Sequence, residues 1–113
     1  MAAQPETPSP ADAPERTTYM RRYQLDPALA QEFVGFLTKK VIPTREERGF
    51  TVESIWLSYG MDELTWFVSR FGDREEFAQA EKAWEDSPER AEIFADAPAY
   101  VTAKDLRPVT RLR

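Results

Sequence analysis

Residues 50–71 read FTVESIWLSYGMDELTWFVSRF, and this stretch decides the fold. Two runs rich in β-branched and aromatic residues flank Tyr59-Gly60-Met61-Asp62. Such runs favour strands, and a Gly-X pair between them suits a tight type II′ turn. With Gly60 and Met61 as the loop, Leu57 faces Leu64 and Ile55 faces Trp66. One face of the hairpin then carries Glu53, Ile55, Leu57 and Tyr59 with Leu64, Trp66, Val68 and Arg70. The other carries Val52, Ser54, Trp56 and Ser58 with Thr65, Phe67 and Ser69. Both faces hold large apolar groups, whereas an antiparallel sheet with one wet face alternates cleanly between apolar and polar. Helices can cover one face. The other calls for a cover from outside the chain, and a second copy, giving a homodimer, is the simplest.

Upstream of the hairpin, Thr17 to Leu25 predicts a first strand with Tyr19, Arg21, Tyr23 and Leu25 on one face. Asp26-Pro27 is a helix start, with Asp as cap and Pro at the first helical position. Leu29, Phe33, Phe36, Leu37 and Val41 then repeat at helical spacing and form one apolar stripe. Pro43 is expected to kink or end that helix. Thr44 to Glu47 can form a capping box for one further turn, and Gly49 a left-handed stop.

Downstream, Asp73 with Glu76 predicts a second capped helix that buries Phe77, Ala80 and Trp84. Ser87-Pro88-Glu89 restarts a short helix, with Ala91, Phe94 and Ile93 facing inward. Val101 to Leu112 is the last strand, and Pro108 places it at a sheet edge, at a bulge or near its own end. The order is β-α-β-β-α-β, the ferredoxin-like arrangement of an α+β fold. Helices lie on one face of a four-stranded antiparallel sheet. Residues 1–16, rich in Pro, Ala and acids, are expected to form a disordered tail, leaving one domain over 17–113.

Composition removes whole classes of chemistry. The chain of 113 residues has no cysteine and no histidine. Thiolate catalysis, an imidazole base, a proximal haem ligand and the ordinary zinc sites go with them. No metal and no cofactor are expected. The formal net charge of -5 argues against duplex nucleic acid as a partner. No long apolar run suggests a membrane span or a secretory signal, so a cytoplasmic protein is expected.

Several short motifs, in this order, resemble the NIPSNAP family: Tyr19-x-Arg21-x-Tyr23-x-Leu25, Phe33-Val34-x-Phe36 and Arg45-Glu46-Glu47-Arg48-Gly49-Phe50. Leu64-x-Trp66, Gly72-Asp73-Arg74-Glu75-Glu76-Phe77 and Trp84-x-x-Ser87-Pro88-Glu89-Arg90 continue the series. The resemblance spans roughly Tyr19 to Val109. It implies a dimeric α+β barrel in which two sheets close on each other and helices cover the outside. It does not decide an activity, since the wider superfamily includes cofactor-free oxygenases, isomerases, haem enzymes and plain binding modules. The haem-dependent relatives use an axial histidine, which this chain lacks. Quinone-forming oxygenases of the superfamily commonly use an asparagine, and this chain has none.

Two readings of function stand side by side. The first is a small homodimeric binding or accessory protein without a catalytic cluster. The second is a cofactor-free oxygenase, isomerase or cyclase on a small aromatic or polyketide-like substrate. It would need a cavity of roughly 300 Å³ or more between sheet and helices. Tyr23, Trp56, Trp66 and Trp84 are the candidate ligand-binding residues, because aromatic rings stack a flat ligand. Ordinary packing is the commoner reason for such side chains. Glu53, Arg70 and Tyr59 are the catalytic candidates. In the hairpin register above, Glu53 and Arg70 are diagonal neighbours, able to ionise or hold a substrate. Arg21 and Arg22 could grip an anion, although edge-strand arginines more often deter aggregation. Arg45 to Arg48 read as a solvated helix end.

Overall fold

A computed structural model describes residues 15–113. The expected tail over 1–16 lies outside the described residues except at its last two positions. There, the Glu15 carbonyl accepts a 2.7 Å hydrogen bond from Gly72 N–H, and Arg16 already opens the first strand.

Four strands, β1 (Arg16–Leu25), β2 (Thr51–Leu57), β3 (Glu63–Phe71) and β4 (Val101–Val109), form one sheet in the order β2-β3-β1-β4. All three ladders are antiparallel. The helices are α1 (Ala30–Phe36), α2 (Ile42–Glu47), α3 (Arg74–Glu85) and α4 (Pro88–Phe94). This is the βαββαβ ferredoxin-like fold expected from the hairpin and its flanks. β1 is central, so Arg21 is not an edge-strand arginine; only 6% of it is exposed. Pro108 falls on β4, an edge strand, where one side of the backbone needs no ladder partner.

Helical spacing builds the core on one side of the sheet. Phe33, Leu37 and Val41 pack with Phe77 and Trp84 against Tyr23, Leu64, Trp66 and Val68. Ala91, expected inward on α4, is exposed, while Ile93 and Phe94 pack against the core.

Pro43 neither ends nor breaks the first helical segment. A π-helical turn, Leu37–Val41, joins α1 to α2, and Ile42 N–H reaches back five residues to Leu37 O. The wider turn accommodates the proline ring and its missing donor. Thr44 forms no capping box. Its hydroxyl donates to the carbonyls of Lys40 and Val41. Gly49 does take the left-handed conformation, with φ 91°. Asp73 and Glu76 form the reciprocal capping box of α3, and Ser87 Oγ accepts from Arg90 N–H at the start of α4.

The hairpin register holds near the turn: Leu57 pairs with Leu64 and Ile55 with Trp66. The turn itself differs, since Met61, not Gly60, carries a positive φ, 60°. The loop is longer and closes with Met61 N–H donating to Ser58 O and Ser58 N–H to Glu63 O. A bulge between Val52 and Ser54 shifts the far end. Val52 pairs with Val68 and joins the core, while Glu53 turns to the opposite face and meets Ser69. An extra residue in one strand reverses the faces beyond it. That is why a strict alternation misplaced both Val52 and Glu53.

Candidate functional site

Three elements bring a charged cluster into the core. Arg21 projects from β1, Arg45 from α2 and Glu81 from α3. Arg45 Nη1 and Nη2 each donate to one oxygen of Glu81, both at 2.8 Å. Arg21 Nη1 reaches the same carboxylate at 3.3 Å, and its Nε donates to Tyr23 Oη at 2.7 Å. The Arg45 side chain is 3% exposed, that of Arg21 8% and that of Glu81 15%. Aromatic rings surround Arg45, with the centroids of Phe50, Trp84 and Trp66 at 5.1, 5.4 and 5.6 Å from its guanidinium carbon. Faces of such rings stabilise a desolvated cation.

The electrostatics follow from burial and pairing. Burial pushes the Glu81 carboxyl up, but the Arg45 and then the Arg21 guanidiniums outweigh it and hold it below its ordinary value. Burial likewise opposes the charge on Arg21, while Tyr23 and Glu81 keep its pKa above the usual arginine value. Glu81 and Arg21 are therefore both charged at neutral pH.

Beside it, between sheet and helices, lies a cavity of about 70 Å³ lined by Tyr23, Phe33, Trp66, Trp84 and the three charged side chains. That is far below the roughly 300 Å³ at the lower end for ligand pockets. Tyr23, Trp66 and Trp84 thus come together as a set. Trp56 does not join them: it is 65% exposed on the open face, where its indole N–H donates to Ser54 Oγ. Tyr59 is fully exposed in the hairpin loop. Arg70 stacks on Phe50 and donates to Arg48 O, on the helix side of the sheet. Glu53, carried to the other side by the bulge, binds Arg16 and Ser69. The expected Glu53–Arg70 pairing is therefore absent, and these candidates form no common site.

The residues that do cluster had a signal. Arg45 continues the four-residue series Leu37, Val41, and Glu81 lies between Phe77 and Trp84 on the buried stripe of α3. A charge on an apolar stripe must be paired inside the core. Continuity past Pro43 was the missing link for Arg45.

On the opposite face, Trp56, Phe67 and Val109 border an open groove of about 650 Å³, with Arg16 and Glu53 at its side. Among the described residues no helix is long and apolar enough to cross a membrane. Among them too, no three acidic side chains gather in a metal-holding arrangement.

No protein-family model and no curated protein matches the chain. Solved structures do. An uncharacterized NIPSNAP-like domain protein from Burkholderia xenovorans superposes with a TM-score of 0.75 at 14% identity, covering 88% of each chain. A NIPSNAP family protein from Agrobacterium tumefaciens gives 0.74 at 7% identity, over 85% of this chain and 92% of that one. A putative antibiotic biosynthesis monooxygenase from Bacteriodes thetaiotaomicron gives 0.64 at 18% identity, over 88% and 91%. The chain shares the fold of these proteins along most of its length.

Proposed function

We propose that this chain is a NIPSNAP-like α+β barrel protein that works as a homodimeric binding or accessory module, with a cytoplasmic home. The observation that carries the reading is the uncovered sheet face, where Trp56 is 65% and Phe71 57% exposed beside Phe67 and Val109. Four strands of about nine residues present roughly 600 Å² of flat sheet. That approaches the roughly 800 Å² per partner of a standard stable interface. A second copy brings an identical apolar face of matching size. The small cavity on the helix side supports a binding role over turnover of a bulky aromatic substrate.

A second reading draws on the fold shared with the monooxygenase. It is a cofactor-free enzyme on a small aromatic or polyketide-like substrate; the pocket expected between sheet and helices is too small for one, which leaves Trp56, Glu53 and Arg16 in the open groove. This reading needs Trp56 uncovered; the homodimer buries it. Trp56→Asp separates the two. The homodimer reading expects a folded monomer, with light-scattering mass halved relative to the parent. An unchanged mass would refute that placement of the interface.

A further inference from the structure

We infer that the open groove on the bare sheet face is a docking site for the chain's own proline-rich segment, residues 5–10, which read PETPSP. Aromatic rings wall the groove. Trp56 is 65% exposed, and its indole N–H donates to Ser54 Oγ at 3.0 Å, which orients the ring. Phe67 and Val109 line the groove with it. Prolines spaced P-x-x-P dock on such walls, because a polyproline II segment presents residues i and i+3 on one side and loses little entropy on binding. Pro5 and Pro8 have that spacing.

The strand register supplies a match of dimensions. Phe67 pairs with Ser54, and Trp56 follows two residues further along the same strand. Two residues along and one strand across put Trp56 about 8 Å from Phe67. Three residues of polyproline II span about 9 Å. Pro5 and Pro8 therefore suit Trp56 and Phe67 as a pair.

The tether is long enough. The chain enters β1 at Arg16, which itself lines the groove. Trp56 pairs with Thr65 and Thr65 with Arg22. Trp56 is thus six residues along and two strands across from Arg16, about 22 Å away. With residues 11–14 left for the reversal of direction, residues 5–10 cover about 19 Å of the face. Charge agrees. Residues 1–14 contain Glu6 and Asp12 and neither lysine nor arginine. Arg16 and Arg111 stand at the groove against one carboxylate, Glu53. Arg16 takes Glu53, while Arg111 enters no ion pair among the described residues. Asp12, within the reversal, meets Arg111. A tether of this kind gives an effective concentration of about 1 mM, so an affinity of only about 0.1–1 mM keeps the groove half to nine-tenths filled. A second copy uses the same ground. Pairing of two chains must then expel both segments, a competition that goes beyond the homodimer reading.

The chain has no cysteine, so Ser9→Cys gives the full chain a single attachment point for an oxazine dye, which tryptophan quenches on contact. Trp66 and Trp84 are each 1% exposed, which leaves Trp56 as the quencher. Emission is measured at nanomolar concentration, with the mass of the same sample read by fluorescence-detected sedimentation. Trp56→Phe removes the quencher and keeps a ring on the wall. Emission from the parent monomer is expected to be about two- to tenfold lower than from Trp56→Phe, as the occupancy requires. Pro5→Ser with Pro8→Ser keeps length and charge and should restore most of the emission; Asp12→Lys should restore part of it. Equal emission from the parent monomer and Trp56→Phe overturns the inference. So does quenching that the proline changes leave intact, which marks random contact rather than docking. Unquenched emission at twice the chain mass gives the groove to a second copy and overturns it too. The mass reads the dimer independently, so failure of the docking and failure of the dimer are distinguishable.

Discussion

Replacing Glu81 by Gln keeps the shape of the side chain and deletes one charge from between two buried guanidiniums. The Arg45 and Arg21 side chains, 3% and 8% exposed, then face each other's charge without a counter-ion. Removing one partner of a buried pair costs about 3–5 kcal/mol. Glu81 is itself 15% exposed, so some water enters and the lower end, about 3 kcal/mol, is expected. For a domain of this size that lowers Tm by roughly 12–24 °C. Urea denaturation followed by circular dichroism at neutral pH and fixed protein concentration measures it, with the m-value unchanged. A loss under about 1 kcal/mol, the scale of exposed pairs, would refute the account of a dry cluster. The pH dependence supplies a second readout. Glu81 is held below its ordinary carboxyl value, so its contribution is fully present above 4.5. It fades as pH falls through the lower folded-state value. The gap between parent and Glu81→Gln should therefore narrow in acid and stay constant towards neutrality.

Three further perturbations follow from local geometry. Gly49→Ala places a Cβ at φ 91°, 3.3 Å from Arg70 Nη2, and should cost about 1–2 kcal/mol in urea; a neutral effect would deny the left-handed stop. Asp73→Ala removes one half of the capping box and should cost about 1 kcal/mol by the same assay, with the helix otherwise kept. Tyr100 donates to Glu32 at 2.6 Å, and its phenol is pushed up to about 12 by that carboxylate. An ultraviolet titration should lose a tyrosine step at about 12 in Tyr100→Phe. Because the folded value is raised, the stabilisation is full below 10 and is lost as pH rises towards the folded value.

The succession of strands and helices along the chain, the helix caps at Asp73 and Ser87 and the core stripe of Phe33, Leu37 and Val41 follow rules of periodicity and capping that act within a few residues. They were legible for that reason. The bulge at Glu53 was not. One extra residue leaves no mark on composition, yet it reverses which face Val52 and Glu53 occupy. The π turn before Pro43 was hidden in the same way, because proline ordinarily ends a helix. That single local rule concealed Arg45, which the continued helix carries into the core. Of the candidate site, Tyr23, Trp66 and Trp84 were found as aromatics on buried stripes. Arg45 and Glu81 were missed because a charge on a helix is usually solvated, and only the tertiary packing of α2 against α3 reveals the exception.

Whether a second copy of the chain covers the open sheet face, as proposed, is read by sedimentation equilibrium of the unaltered protein. A homodimer gives a single species of twice the 13.0 kDa chain mass, maintained on dilution into the micromolar range. A stable monomer at those concentrations would contradict it.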